Sequence, residues 1–256
     1  MNNNEIINSI RSNNIPVKVS FNNQERLENL AGRVAAQLEI DSLTLLKAMK
    51  SPEFLKKHGL NSKTALSMYI PNSYEFFWNS SAEEFRDRML TEYKRFWNND
   101  RIAKARALKL TMSEVYTIAS IVQKETAKVD ERPRVAGVYL NRIRKGMKLD
   151  ADPTVIYAVK SVKNDWDMQI KRVLFKDLET VSPYNTYRNV GVPPGPIFMP
   201  DISSIDAVLN AERHNYYYFV ANVERFGYHK FAKTLAQHNA NSAAYRRWIS
   251  KQGVKR

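Results

Sequence analysis

The chain of 256 residues predicts an α+β fold, a small βααβ module followed by a mainly helical domain carrying a β-hairpin or small sheet. Three observations predict it. Strand signals are confined to short stretches, the alternation of Val17, Val19 and Phe21 near the start and the aromatic run 216–220 near the end. Apolar residues at helical spacing, often behind a capping residue, fill most of what lies between. One stretch, 182–200, holds seven prolines or glycines (Pro183, Gly191, Pro193, Pro194, Gly195, Pro196 and Pro200) and reads as a fixed loop.

In order, residues 1–14 read as a flexible leader, because MNNNEIINSIRSNN has little to bury. The module spans 15–75. It opens with a strand at Ile15–Phe21 and continues with a helix over 24–38, whose inward face is Leu27, Leu30, Ala31, Val34 and Leu38. Asp41 caps a second helix to Lys50, and Ser51-Pro52 starts a short third one ending near Gly59. A return strand is expected at 66–70, before Pro71. A basic helical connector, 76–110, follows, with Phe85, Met89, Tyr93, Phe96 and Trp97 as its apolar side and a break at 98–100.

The remaining domain, 111–251, is organised around the helix TMSEVYTIASIVQKET, 111–126. Thr111 and Glu114 have capping-box spacing, and Val115, Ile118, Ala119, Val122 and Thr126 define one face. Next come a helix over 134–144 with Pro133 at its start and Gly146 at its close, and a helix from 154 with Asp152 as N-cap and Pro153 at N1. Residues 162–178 show no clear period. A short helix at 205–212, a hairpin of 216–220 with 227–231, and a helix over 235–251 complete the chain.

Composition narrows the function. Hydrophobic residues at 43% and charged residues at 26% are ordinary for a folded soluble protein. The formal net charge of +14 favours an anionic partner or surface without saying which. The absence of cysteine excludes disulfides, thiolate metal sites and cysteine nucleophiles. No apolar run approaches the roughly 18 residues of a spanning helix, so the chain is expected to be soluble. The four histidines have no ligand spacing, so no metal is expected; phosphate-cradling glycine loops and a serine elbow are also missing, and no cofactor is implied.

Glu125 is the residue that stands out. At about 100° per residue it projects between Ile118 and Ile121 on the flank of an apolar face. It reads either as a boundary carboxylate paired with one of many basic residues, or as a desolvated acid able to donate a proton near neutral pH. Tyr184, Asn185 and Tyr187, in the proline-rich loop, offer aromatic faces and an amide to a sugar-like ligand; the alternative is a rigid loop whose tyrosines cover the core. Were a second carboxylate needed for glycoside chemistry, Asp150, Asp152 and Glu179 are the candidates, with Asp152 most simply a helix cap.

Four collinear segments then carry a resemblance: ASIVQKET (119–126), VAGVYLNRIRKGMKLDADPTVIYAV (135–159), SPYNTYRNVGVPPGPI (182–197) and YYYFVAN (216–222). Together they resemble the MltG/YceG-like family of endolytic murein transglycosylases across 113–248. IPNSYEFFW (70–78) resembles the family's join between two domains, and the 15–75 module then falls where the family has a LysM-like domain. The resemblance implies lytic cleavage of peptidoglycan glycan strands between N-acetylmuramic acid and N-acetylglucosamine. It implies Glu125 as the catalytic acid/base; with that role, Tyr184, Asn185 and Tyr187 are expected as substrate contacts and Asn141 and Arg142 as further residues lining the cleft, Arg142 equally as the anchor of a structural salt bridge. Where relatives carry an acid this chain has Gln123, which lies about 160° from Glu125 around the helix. The resemblance further implies an N-terminal membrane anchor preceding this chain, a place outside the bacterial cytoplasmic membrane, and peptidoglycan synthases as partners, with no nucleic acid. The rivals are a wall-binding protein without catalysis, a hydrolase using a second acid, and a basic nucleic-acid-binding protein.

Overall fold

The computed structural model describes residues 2, 4 and 15–251. All but two residues of the 1–14 leader therefore lie outside the described residues. The chain is α+β and divides into two compact units, 1–96 and 97–256, so the division falls inside the 76–110 stretch.

In the first unit, strand β1 (Val17–Phe21) pairs antiparallel with β2 (Asn72–Phe76), in a register running from Val17 opposite Phe76 to Phe21 opposite Asn72. Between them lie α1 (Leu27–Ala35), α2 (Ser42–Met49) and α3 (Pro52–Lys57). Asp41 caps α2 by accepting from the backbone N–H groups of Leu43 and Thr44, both at 2.9 Å, and Ser51 caps α3, with Pro52 in its first turn. The helix α4 (Ala82–Phe96) closes the unit, its Phe85 ring stacked on Phe76 and Tyr69. The expected return strand at 66–70 is a correction. Residues Ala65–Met68 form a 3₁₀ turn, and the strand starts beyond Pro71. Every residue from Ala65 to Ile70 is buried, and a continuous apolar run has no period to distinguish strand from turn. Pro71 has no N–H to give a ladder, so pairing begins at Asn72.

The second unit starts with α5 (Asn99–Ala107), capped by Asn98. Its centre is α6 (Met112–Glu125), and the Thr111–Glu114 capping box is formed in both directions. All eight residues from Val115 to Val122 are buried, more than the one face the spacing predicts. The reason is that α6 is surrounded: α7 (Arg132–Arg144), α8 (Asp152–Lys163) and α10 (Ile202–Leu209) all pack on it. Its polar members stay satisfied locally, with the Ser120 hydroxyl donating to Thr117 O and accepting from the Ile197 N–H. A short helix, α9 (Phe175–Leu178), lies in the stretch without period. The hairpin forms as β3 (Tyr218–Ala221) against β4 (His229–Ala232), and α11 (Leu235–Lys251) packs on both strands. Among the described residues no helix is long and apolar enough to cross a membrane.

Asp152 is the second correction. It occupies the first helical position of α8, with Ala151 as N-cap, and its side chain makes no cap bond. Its carboxylate instead accepts a hydrogen bond from the Tyr187 hydroxyl at 2.7 Å.

Candidate active site

Glu125 ends α6 at the rim of a cleft of about 410 Å³, which is also lined by Arg142, Leu149, Asp150, Asp152, Tyr187, Tyr218, Phe219, Leu235 and His238. The residue is half-buried, and the Tyr139 hydroxyl donates to its Oε1 at 2.7 Å. Burial of the carboxylate drives its pKa up to about 7; the Tyr139 hydrogen bond opposes the rise, the charge of Asp152 adds to it, and Arg142 opposes it. A carboxyl group that titrates near neutrality can both give and take a proton at little cost. Tyr139 itself is nearly fully buried, and its hydroxyl is held well above the usual tyrosine range by burial and by the adjacent carboxylate. It is therefore a fixed donor.

Arg142, one helical turn along α7 from Tyr139, is 8% exposed. Its Nε donates to Tyr217 O at 2.7 Å, and its Nη1 donates to Lys148 O, Leu149 O and the Asp150 carboxylate between 2.8 and 3.0 Å. One guanidinium thus ties α7 to the approach of β3 and to the turn before α8. Asp150 sits in that turn with φ 49°, the left-handed region that costs a non-glycine residue energy.

The proline-rich loop is stapled to the same turn. The Thr186 hydroxyl accepts from the Ala151 N–H at 3.0 Å and lies 2.8 Å from the Thr154 hydroxyl. Asn185 is fully buried; its amide donates to Leu178 O and Thr180 O, and its Oδ1 accepts from the Tyr187 N–H. These bonds aim Tyr187 into the cleft, where its hydroxyl meets Asp152.

Of the residues singled out from sequence, Glu125, Arg142 and Tyr187 come together at the cleft, with Asp150 and Asp152. Four do not join them. Asn185 has no exposed surface to offer a sugar, and its part is to hold the loop. Tyr184 is buried, its ring centroid 4.7 Å from that of Tyr157. The Asn141 amide is spent on His214 O and Tyr216 O, on the opposite side of α7. Glu179 is exposed and does not line the cleft. Gln123 faces away as its helical angle requires: it donates to Asp201 at 2.8 Å and accepts from the Ser204 hydroxyl, joining α6 to the start of α10.

Sequence reasoning missed Tyr139, Tyr218, Phe219 and His238. For Tyr139 a signal existed, since it precedes Arg142 by three residues and so shares its helix face. The other three arrive from β3 and α11, which no local pattern connects to Glu125. Among the described residues no group of three or more His, Asp or Glu is placed to hold a metal ion.

The YceG-like family model matches residues 1–244. The chain is 40% identical over 137 residues to a protein of Bacillus subtilis strain 168 named endolytic murein transglycosylase, covering 54% of this chain and 36% of that one. A Streptococcus pneumoniae D39 protein of the same name is 31% identical over 176 residues, covering 69% and 31%. The chain thus spans about a third of the length of these relatives. A 2.6 Å crystal structure of a yceG-like protein from Listeria monocytogenes superposes with a TM-score of 0.71 at 31% identity, covering 94% of this chain and 81% of that one.

Proposed function

Because the chain belongs to the YceG-like family, we propose that it cleaves the glycan strands of peptidoglycan as an endolytic lytic transglycosylase, with Glu125 as its acid and base. The names of the relatives support murein as the substrate. The observation that carries the chemistry is the half-buried Glu125 carboxyl, held by Tyr139 and titrating near 7 at the edge of the cleft.

In the proposed reaction, protonated Glu125 gives its proton to the glycosidic oxygen between N-acetylmuramic acid and N-acetylglucosamine. The bond from the muramoyl C1 to that oxygen breaks, and positive charge develops at C1. Glu125, now ionised, takes the proton from the muramoyl 6-hydroxyl as its oxygen closes on C1. The products are a 1,6-anhydro-muramoyl end and a free N-acetylglucosamine hydroxyl, and the acid is regenerated without consuming water. A pKa near 7 serves both halves of this cycle.

Tyr139 positions the carboxylate. Tyr187, Tyr218 and Phe219 supply ring faces and a hydroxyl for sugar contact. His238 completes the wall with its ring stacked on Tyr218, and burial holds its pKa below the usual histidine value. Arg142 shapes the wall. Asp152 supplies negative charge that favours protonated Glu125 and steadies the developing cation. The placement of such an enzyme is the bacterial envelope, outside the cytoplasmic membrane.

The test is digestion of purified glycan strands with product analysis by mass spectrometry. Anhydro-muramoyl ends that vanish in Glu125→Gln are the expected result. Reducing ends would instead assign a hydrolase in which Asp150 or Asp152 activates water. Sedimentation with peptidoglycan without any new product would leave only a binding role. Steeply salt-sensitive DNA or RNA binding with no effect on glycan would point to the nucleic-acid reading.

A further inference from the structure

Between α6 and α7 the chain makes a 3₁₀ turn, Val129–Glu131, that ends on a buried carboxyl group. Glu131 is 5% exposed, and although it stands at the N-cap of α7 its side chain makes no cap bond there. It turns to other partners instead. Its Oε1 accepts from the His229 N–H at 2.7 Å. Its Oε2 accepts from the Thr126 hydroxyl at 3.1 Å and lies 2.8 Å from His229 Nδ1, which donates when it carries the ring hydrogen. A carboxyl group this deep is costly unless donors surround it, so these partners fix one another.

Both partners lead to the Glu125 carboxyl. Thr126 directly follows Glu125, is 3% exposed, and takes the chain out of α6 in an extended conformation. Its hydroxyl also accepts from the Lys128 N–H at 3.1 Å, so one oxygen organises the turn that ends the helix. On the other side His229 stands on β4, its ring centroid 4.9 Å from that of Phe219. Phe219 lines the cleft and meets the Tyr139 ring edge-on, with centroids 6.0 Å apart. Tyr139 in turn donates to Glu125. Glu131 thus closes a ring of contacts around the acid, through Thr126 one way and through His229, Phe219 and Tyr139 the other. It does not itself line the cleft.

We propose that Glu131 is a positioning residue, which holds the Glu125 carboxyl from behind through both of these arms. The inference rests on Glu125 being the acid and base of the proposed reaction. A side chain on the last residue of a helix has a poorly fixed direction, because helix ends fray. Displacing a reacting group by about 1 Å can cost about a hundredfold in rate. The group that ties down the next residue therefore acts on the rate without touching sugar.

The test joins kinetics on glycan strands to a carbon NMR titration of the Glu125 carboxyl, assigned by its loss in Glu125→Gln. Glu131→Gln should lower kcat about ten- to a hundredfold with KM held within about twofold, the pattern of a group misplaced for the transition state. Its Glu125 midpoint, about 7 in the wild type, should fall toward 4.5 as water reaches a loosened carboxyl. Thr126→Val cuts one arm while keeping the Glu131 charge, and should move both readouts the same way. Thr126→Ser, which keeps the hydroxyl, should restore them. His229→Phe cuts the other arm and should lower kcat by itself. A circular-dichroism melt checks folding, and if Glu131→Gln does not fold, the Thr126 pair carries the test. Unchanged kcat and midpoint in Glu131→Gln overturn the proposal, as does a loss confined to KM. A Thr126→Ser variant as impaired as Thr126→Val, or a wild-type kcat in His229→Phe, overturns it too. If the wild type leaves glycan uncut, the reading of Glu125 as catalyst falls, and the titration alone decides whether Glu131 holds it.

Discussion

Replacing Glu125 by glutamine should make the protein more stable at alkaline pH while abolishing cleavage. The structure raises this carboxyl from the ordinary 4.5 to about 7, chiefly through burial. The folded form then holds its proton up to about pH 7, whereas the unfolded chain releases it near 4.5. Between those values the folded state binds more protons, so stability falls as pH rises through the window. At about 1.4 kcal/mol for each tenfold change, the full penalty above pH 7 is about 3 kcal/mol. Glutamine does not titrate and escapes it. Urea denaturation of both proteins at about pH 8.5 should show the variant ahead by about 3 kcal/mol, and at about pH 5 that lead should shrink to under about 1 kcal/mol. Equal stability at pH 8.5, or a difference that does not change with pH, would refute the assignment of Glu125 as a desolvated acid.

Two substitutions should move the alkaline limb of the rate profile in opposite directions. Tyr139→Phe removes a bond that favours ionised Glu125 and should shift the limb upward by about one pH unit. Asp152→Asn removes a charge that favours the protonated form and should shift it downward; measurement of kcat/KM against pH checks both. Gly137→Ala should cost about 1–3 kcal/mol in urea, because its methyl group meets backbone at Glu212 and the His214 ring. Asn185→Ala should lower the melting temperature sharply, by leaving Leu178 O and Thr180 O without their buried donor; unchanged stability with weakened substrate binding would return Asn185 to the role of sugar contact.

Much of the fold was legible because local chemistry decides it. Asp41, Ser51, Asn98 and Thr111 cap helices in the structure as their types require, and Gly146 closes α7 with φ +64°. The hairpin of β3 and β4 follows from two short aromatic-containing runs on either side of a turn. The pattern failed where burial was uniform, at 65–70, and where a polar side chain found a distant partner better than a local one. Asp152 is such a case: the cap bond available to it on α8 lost to the Tyr187 hydroxyl, from 35 residues away.

The same division holds at the candidate site. Sequence alone singled out Glu125 on the flank of its helix, and the motifs around it carried the family. Its spacing sets a direction around α6, and direction is a local quantity. Whether that direction meets solvent, a basic partner or a cleft depends on elements that local pattern cannot connect. Tertiary structure decided that Tyr139 holds the carboxylate and that Tyr187 rather than Tyr184 or Asn185 faces it. It also decided that Tyr218, Phe219 and His238 complete the wall. Desolvation, which raises the carboxyl of a boundary glutamate to about 7, is a property of the whole surrounding volume. No single segment of sequence contains that volume.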